Sequence, residues 1–272
     1  VEVRRGSVEA SNVEADLSAE VDRGDVAVTG VTGNVRLQIR RGSLSARNIN
    51  GNVEVEGRGN DIQIADVTGQ LLVRGEYSGA SDYSRIAQGV KFSSSRTEME
   101  IQKLPGWVDM PIGSLAITEP GGMVSIHTRN KDIRIEEFAE KVQIINRGAA
   151  VELRTSRLPL KDIEVENHSG PIELAVPAGS EYTIEANARR GDVDSEFPLD
   201  VLRENDNGWI KGKVGGGGAA VKLNTSYGSI SLKKMGGVAE PAPPGKPAEP
   251  RGRDRDRRKP TKTTALSFDH RM

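Results

Sequence analysis

Arginines recur at one place in the pattern of this 272-residue sequence. Arg5, Arg23 and Arg41 follow one another at a regular interval of 18 and each directly precedes a glycine; Arg129 and Arg147 repeat the spacing. The guanidinium group is a planar donor that binds carboxylates, phosphates and sulfates through paired hydrogen bonds. If this interval is one structural period, the side chains line up along one edge at steps of about 4.8 Å. Like charges that close are neutralised either by neighbouring Asp22 and Asp25 or by an anionic ligand, and the second alternative predicts an anion-binding edge of Arg5, Arg23 and Arg41.

Other residue types that could do chemistry are sparse. The three histidines are far apart in sequence, which predicts no metal site and no cofactor; they are His127, His168 and His270. The absence of cysteine excludes disulfides and thiol catalysis. Asp25 and Asp61 occupy equivalent turns two periods, or about 10 Å, apart, which is the upper edge for an inverting glycosidase pair. Serine and aspartate at turns more often cap the local backbone, so we predict no catalytic residues.

Composition favours a narrow aliphatic core and a separate tail. Hydrophobic residues make up 35% of the chain and aromatic residues only 4%. Lys and Arg number 29 against 34 Asp and Glu up to residue 235, and 9 against 5 beyond it. We therefore predict a mildly acidic domain over 1–234 and a Pro-rich, basic, disordered tail over 235–272. No apolar run reaches the roughly 20 residues of a transmembrane helix, and the basic run RGRDRDRRK contains no aromatic residue to stack on bases, so no specific nucleic-acid partner is expected.

The elements that must position the arginines are given by the period of the apolar residues. One series recurs with the same interval of 18: Val8, Val26, Leu44 and Ile62, and later Leu115, Ile133 and Val151. A second series keeps nearly the same interval: Leu17, Val35, Val53, Leu71, Val90, Val108, Val124 and Val142. Within each unit apolar residues alternate with polar ones, which indicates strands. Each unit is therefore two strands and two turns, with turns at Gly33, Gly51, Gly69, Pro105-Gly106 and Gly121-Gly122.

Units of this length without a helical stretch favour one fold class. They are too short for propeller blades and match single coils of a β-solenoid. We predict an all-β, parallel β-solenoid, a single-stranded right-handed β-helix of about ten coils and about 50 Å in length. Asn34, Asn52 and Gln70 would then stack as an amide ladder at one turn.

Both ends of the predicted solenoid depart from the regular repeat. The chain starts in mid-coil, which predicts that further residues precede Val1 in the full protein. After Val151 the equivalent positions Ile172 and Val193 come at gaps of 21, and the polar segment 202–218 is expected to form outward loops. The last strands are expected at 219–223 and 228–232.

Several segments resemble a bacterial family of adhesin-like proteins, a domain of unknown function built from short Gly-Asp-Ile β-strand repeats. The resemblance is carried by SSRTEMEIQKLPG (94–106), TRNKDIRIEEF (128–138), EANARRGDVDSEFP (185–198) and AAVKLNTSYGSISLKK (219–234). It spans most of residues 6–234 and implies a β-helical protein that is exported or associated with the cell envelope, without established catalytic residues. Gly-Ser replaces Gly-Asp at residues 6, 42 and 228, which argues against a ligand role for the turn aspartate.

Together these features predict a non-enzymatic, adhesin-like binding or scaffold module of the cell envelope or the extracellular space. Its predicted partner is an anionic polysaccharide or another surface polymer. Two alternatives remain open at this point. One is a β-helical polysaccharide lyase or hydrolase, and the other is a sensor component of an envelope-stress system in which the solenoid is only a rod.

Overall fold

The computed structural model describes residues 1–235, so the predicted tail, together with His270, lies outside the described residues. Over residues 1–235 the chain contains strands and turns but no helix, and correspondingly no helix that could span a membrane. Twenty-six strands, numbered along the chain, form one sheet of 14 strands and one of 12. The all-β solenoid predicted from the sequence is confirmed.

Along the regular coils the strands alternate between the two sheets. In spatial order the first sheet contains β1 (Glu2–Val3), β3 (Leu17–Val21), β5 (Val35–Ile39), β7 (Val53–Gly59), β9 (Leu71–Tyr77), β11 (Val90–Ser93), β12 (Thr97–Ile101), β15 (Val124–Thr128), β17 (Val142–Asn146), β19 (Ile163–Ser169), β25 (Ala219–Tyr227), β21 (Tyr182–Ala188), β24 (Asn207–Val214) and β23 (Val201–Glu204). The second sheet contains β2 (Val8–Val13), β4 (Val26–Thr32), β6 (Leu44–Asn50), β8 (Ile62–Val67), β10 (Ser81–Ile86), β13 (Leu104–Met110), β14 (Ser114–Thr118), β16 (Asp132–Glu136), β18 (Val151–Arg154), β20 (Ile172–Pro177), β26 (Ile230–Met235) and β22 (Val193–Ser195).

The core is a stack of aliphatic ladders between the sheets. Parallel pairing sets Leu37 beside Val55 and Val55 beside Val73 in the first sheet. In the second sheet Ala46 pairs with Ile64 in the same way. All five side chains are no more than 1% exposed. Because one coil alone would leave these faces in water, burial against neighbouring coils supplies the stability of the fold.

A left-handed residue bends the second-sheet strands at the same place in successive coils. The residues are Asn12, Gly30, Asn48, Asp66 and Arg85, with φ of 53°, 68°, 56°, 59° and 52°. Asparagine, aspartate and glycine adopt this backbone conformation at the lowest cost. Arg85 is the exception, and its guanidinium forms a bidentate ion pair with Asp66 in the coil before it, with Nε–Oδ1 and Nη2–Oδ2 distances of 2.5 and 2.8 Å. This ion pair holds the pKa of Asp66 below its usual range.

One coil in the middle of the solenoid runs backwards. After β11 the chain turns at residues 94–96 and returns as β12, antiparallel to both β11 and β15. It continues as β13, antiparallel to both β10 and β14. The prediction that Val108 belongs to the second apolar series is therefore wrong: Val108 lies in the other sheet opposite Tyr83, and Ile101 takes its place between Val90 and Val124. Pro105 and Gly106 lie inside β13 rather than at a turn.

The last coils are stacked out of sequence order. Strands β25 and β26 insert between the coil of β19 and β20 and the coil of β21 and β22. Ile230 consequently pairs with both Ile172 and Val193, so it lies between two positions that were expected to be neighbours. The segment 202–218, predicted as outward loops, instead supplies most of the antiparallel hairpin of β23 and β24 at the edge of the first sheet. The predicted strands at 219–223 and 228–232 are confirmed as β25 and β26.

Candidate functional site

The turns of the solenoid form two long corners with different side chains. The basic corner is where the chain passes from a first-sheet strand to a second-sheet strand, and the amide corner is where it passes back. Arginines at or beside the basic corner are Arg4, Arg5, Arg23, Arg40, Arg41, Arg58, Arg129, Arg147, Arg189 and Arg190. The repeated polar residues of the amide corner are Asp16, Asn34, Asn52 and Gln70.

The three arginines singled out by spacing stack on successive coils. The N–H of Gly6 donates to the carbonyl oxygen of Arg23 at 3.0 Å, and the N–H of Gly24 donates to that of Arg41 at 3.0 Å. Arg5, Arg23 and Arg41 are all exposed. Within residues 1–235 none of their side chains forms an ion pair or a hydrogen bond. The alignment is as the spacing predicts, and the ligand-binding role stays a prediction.

Two further arginines that the spacing did not identify belong to the same cluster. Strand pairing sets Ile39 beside Gly57, which brings Arg40 and Arg58 to equivalent places on adjacent coils. An open hollow of about 470 Å³ is lined by Asp22, Arg23, Arg40, Arg41, Gly57 and Arg58. Arg40 is the only one of these arginines with acidic partners among the described residues, namely Glu20 at 3.5 Å and Asp22 at 3.7 Å. The doublet Arg40-Arg41 was the sequence signal for Arg40, whereas Arg58 stands between two glycines and belongs to no doublet.

The turn aspartates act on the backbone rather than on the arginines. Asp25 Oδ1 accepts a hydrogen bond from the N–H of Ser43 at 2.8 Å. Asp61 Oδ1 accepts one from the N–H of Ala80 at 2.9 Å. Each carboxylate thus caps the corner of the next coil, which is the common structural role of aspartate at turns. Within the described chain, neither Asp25 nor Asp22 forms an ion pair with Arg5, Arg23 or Arg41.

The histidines of the described chain do not come together. His127 is exposed on β15. His168 packs edge-to-face on Tyr227 with 5.5 Å between the ring centroids. Over residues 1–235 there is no group of three or more histidine, aspartate and glutamate side chains that could hold a metal ion.

The amide corner forms the predicted ladder, and its side chains are used by the fold. Asn34 Oδ1 accepts hydrogen bonds from the N–H and the Nδ2 of Asn52, both at 3.1 Å. Asn52 Oδ1 in turn accepts from the N–H of Gln70 at 2.9 Å. The ladder begins one coil earlier, where Asp16 Oδ1 accepts from the N–H of Asn34 at 2.7 Å. These polar groups are therefore occupied by protein partners.

The second half of the basic corner carries a furrow made of three hollows that share lining residues. The hollow at the reversed coil measures about 650 Å³ and includes Arg96 and Arg129. It shares both arginines with a hollow of about 300 Å³ that also includes Arg147. Arg147 also lines the third, of about 470 Å³, together with Arg189. None of these four arginine side chains has an ion-pair partner within the described part of the chain, although Glu76, Glu98 and Glu166 also line the furrow.

Comparison with known proteins gave one match. A family model described as Toastrack DUF4097 matches residues 8–233, which is most of the chain and nearly all of the described solenoid. The search of curated proteins found no match. The search of solved structures found none either. On the strength of the family match, the chain belongs to the Toastrack DUF4097 family, a domain of unknown function.

Proposed function

We propose that this protein is a non-enzymatic binding rod that holds linear polyanions, such as acidic polysaccharides or other surface polymers, along its basic corner. The observation that carries the proposal is the stack of Arg5, Arg23 and Arg41, which are exposed and have no acidic partner within residues 1–235. The adhesin-like role and the location in the cell envelope come from the family resemblance of the sequence.

A rigid row of cations suits a polymer better than a small ion. Stacked coils repeat at about 4.8 Å, so a flexible polyanion can place successive charges against successive arginines. Each contact raises the local concentration of the next charge, and many weak contacts add to a useful affinity. Up to residue 235 the chain carries 34 acidic residues against 29 basic ones, so the rest of the surface repels a polyanion and confines binding to the corner.

Arginines on the faces of the sheets, unlike those of the basic corner, form ion pairs with glutamates. Arg36 forms an ion pair with Glu54 at 2.8 Å on the neighbouring coil. Arg74 pairs with Glu54 and Glu56 at 3.2 and 3.0 Å, and Arg134 with Glu152 at 3.0 Å. The basic corner has the same opportunity for partners one coil away, but glutamates do not occupy those places beside Arg5, Arg23 and Arg41. We infer that the free cations serve binding.

The engagement of the turn carboxylates supports the non-enzymatic part of the proposal. Asp25 and Asp61, the best candidates for a paired-carboxylate mechanism, each accept a backbone hydrogen bond in the next coil. A general acid must exchange its proton with the substrate, whereas these carboxylates are oriented toward the backbone of the corner.

A retention and turnover assay tests the proposal. Wild-type protein is passed over immobilised acidic and neutral polysaccharides, and each polysaccharide is also incubated with the protein and analysed for cleavage. We expect salt-sensitive retention on the acidic polymers and no cleavage. The triple variant Arg5→Gln, Arg23→Gln, Arg41→Gln should elute at clearly lower salt with an unchanged melting temperature.

The matched control removes the same charge from paired positions: Arg36→Gln, Arg74→Gln, Arg134→Gln. Its elution should shift less than that of the corner variant. Equal shifts would mean that only net charge matters and would reject the corner as a site. Cleavage of any polysaccharide would instead establish the enzyme alternative.

A further inference from the structure

The reversed coil interrupts the basic corner and opens the wall of the solenoid. At regular coils the corner backbone is bonded to its neighbours, as in the bond from the N–H of Ser78 to the oxygen of Gly59 at 3.0 Å. At the reversal the chain turns back within each sheet, through hairpin 94–96 in the first and hairpin 111–113 in the second. In the described chain no backbone hydrogen bond joins corner 78–80 to corner 129–131. We call the opening between these two corners and the two hairpins the slot.

The slot combines apolar interior surface with cations. Its lining includes the core residues Phe92 and Met110, which are 6% and 4% exposed, and Tyr77. Arg96 and Arg129 also line it, and neither forms an ion pair within residues 1–235, although Glu76 lines the same slot and the charge of Arg96 contributes to lowering the pKa of that carboxylate. Ile112, at the tip of hairpin 111–113, is 75% exposed although it is a large aliphatic residue. A volume of about 650 Å³ is within the range of sites for small organic ligands.

Hydrogen bonds to adjoining coils hold the slot in shape. Glu76 Oε1 accepts a hydrogen bond from the N–H of Ser95 at 2.6 Å, which fixes the first hairpin. Lys131 Nζ donates to the carbonyl oxygens of Pro111 and Ser114 at 2.7 and 3.2 Å, which fixes the second. The bonds from Ser95 lower the pKa of Glu76, and burial lowers the pKa of Lys131. A ligand would therefore meet a preformed opening and lose little binding energy to ordering it.

One polar group at the slot lacks a protein partner. The hydroxyl of Tyr77 is buried and forms no hydrogen bond within the described residues. This oxygen exposes essentially no surface, so a ligand in the slot does not reach it, and the hydroxyls of the core residues Tyr83 and Tyr182 lack partners in the same way. The case for a ligand therefore rests on the shape of the slot and on its apolar and cationic lining.

We propose that the slot binds a small amphipathic anion, in which an apolar chain contacts Phe92 and Met110 and a carboxylate or phosphate is bound by Arg96 and Arg129. Guanidinium groups give paired, charge-assisted hydrogen bonds to either anion. The apolar chain gains affinity by leaving water. The site lies apart from Arg5, Arg23 and Arg41, so this proposal does not depend on the polyanion proposal.

The test is calorimetric titration of the folded protein with octanoate, acetate and octanol. Octanoate should bind one to one, and acetate and octanol at least about tenfold more weakly, because each lacks half of the recognised chemistry. Arg96→Gln should weaken octanoate binding about fivefold or more, whereas Arg23→Gln, the same change elsewhere on the basic corner, should leave it within about twofold. The variant lacking Arg5, Arg23 and Arg41 should bind octanoate like the wild type.

A steric variant tests the place of binding. Gly113 lines the slot, and a side chain added there meets open space, as does one at Gly179, which lies elsewhere. Gly113→Phe should reduce octanoate affinity about tenfold or more by filling the slot, and Gly179→Phe should not. Circular dichroism and the melting temperature confirm that each variant is folded.

Four results would overturn the proposal. The first two are that the wild type does not bind octanoate, or that Arg96→Gln and Arg23→Gln lose octanoate affinity equally. The other two are that Gly113→Phe binds octanoate normally, or that acetate binds as well as octanoate. Vesicles of phosphatidylcholine with phosphatidylglycerol separate a free anion from a membrane. Binding to vesicles without binding of free octanoate would assign the surface to a bilayer and also reject the small-anion site.

Discussion

The basic corner and the amide corner both connect the two sheets, but they differ in whether their repeated side chains have hydrogen-bond partners. Both carry the chain from one sheet to the other in every regular coil, and both use tight, glycine-containing turns. At the amide corner the repeated side chains bond to the next coil, as Asn34 does to Asn52. At the basic corner Asp25 caps the next coil, while Arg23, two residues earlier, has no partner within the described chain.

The difference distinguishes repeated side chains that bond within the fold from repeated side chains that stay free. The same sequence period contains both an amide ladder and an arginine ladder, so periodicity alone does not indicate which side chains the fold itself uses. The distinguishing property is whether the polar groups are satisfied inside the protein. Stacked side chains that hydrogen-bond to each other stabilise the fold. Stacked side chains without partners in the protein are available to a ligand.

The largest expected effect on stability concerns the turn glycines, which both corners have. A methyl group added at Gly42 of the basic corner would overlap the carbonyl oxygen of Gly24, and one at Gly51 of the amide corner would overlap that of Gly33. Gly42 also has a φ of +133°, which disfavours any side chain. We expect Gly42→Ala and Gly51→Ala each to cost about 2–4 kcal/mol in the free energy of unfolding, measured by chemical denaturation. Gly113→Ala, which meets open space, is the control, and a stable Gly51→Ala protein would contradict this packing.

A smaller effect separates the corners. Asn52→Ala removes the bond to the N–H of Gln70 and the one from its own Nδ2 to Asn34. Exposed hydrogen bonds of this kind contribute about 1 kcal/mol together, so the melting temperature should fall by about 2–4 °C. Arg23→Gln should change it by less than about 1 °C, because no protein contact is lost. If scanning calorimetry showed a larger loss in melting temperature for Arg23→Gln than for Asn52→Ala, the arginines rather than the amides would stabilise the fold.

Among the variants expected to change stability, the smallest effect concerns like charges elsewhere on the rod. Asp82 and Asp109 are paired across β10 and β13. Burial and the hydrogen bond with Asp109 raise the pKa of Asp82 above its usual range. A carboxyl whose pKa is raised by folding favours the folded state while it is protonated, and that stability is lost as the pH rises above about 4.

Asp109→Asn removes the repulsion and should raise the melting temperature by about 1–2 °C at pH 7. The gain should disappear near pH 4 and below. A gain that is constant from pH 3 to pH 8 would show that the facing carboxylates do not repel each other. The stacked arginines differ from this pair because long, exposed side chains can separate their charges in solvent.

The sequence was sufficient for the coils that repeat and insufficient for those that do not. Val26, Leu44 and Ile62 are evenly spaced because parallel stacking repeats the same inward position, and the arginine spacing follows from the same cause. An apolar residue in an antiparallel strand alternates in the same way, so Val108 fitted the series although its strand runs backwards in the other sheet.

The slot could not be predicted from the sequence either. Pro111 and Ile112 lie at one hairpin and Ser95 and Arg96 at another, and only the two reversals bring these hairpins to one corner. The insertion of β25 and β26 between earlier coils involves pairings such as Ile172 with Ile230, which no local pattern specifies. Periodicity reports the equivalence of positions and not the order in which coils stack.

The central claim is that the free arginines of the basic corner bind a linear polyanion, and the most direct measurement is the salt dependence of that binding. Affinity for an acidic polysaccharide is measured across a range of salt concentrations for the wild type, the Arg5, Arg23 and Arg41 variant and the Arg36, Arg74 and Arg134 variant. We predict that the plot of log affinity against log salt becomes shallower by about two to three units of slope for the corner variant. The reason is that binding of this variant releases about one counterion fewer for each arginine contact that it lacks. The paired-arginine variant should keep a slope close to that of the wild type, and equal slopes in wild type and corner variant would contradict the claim.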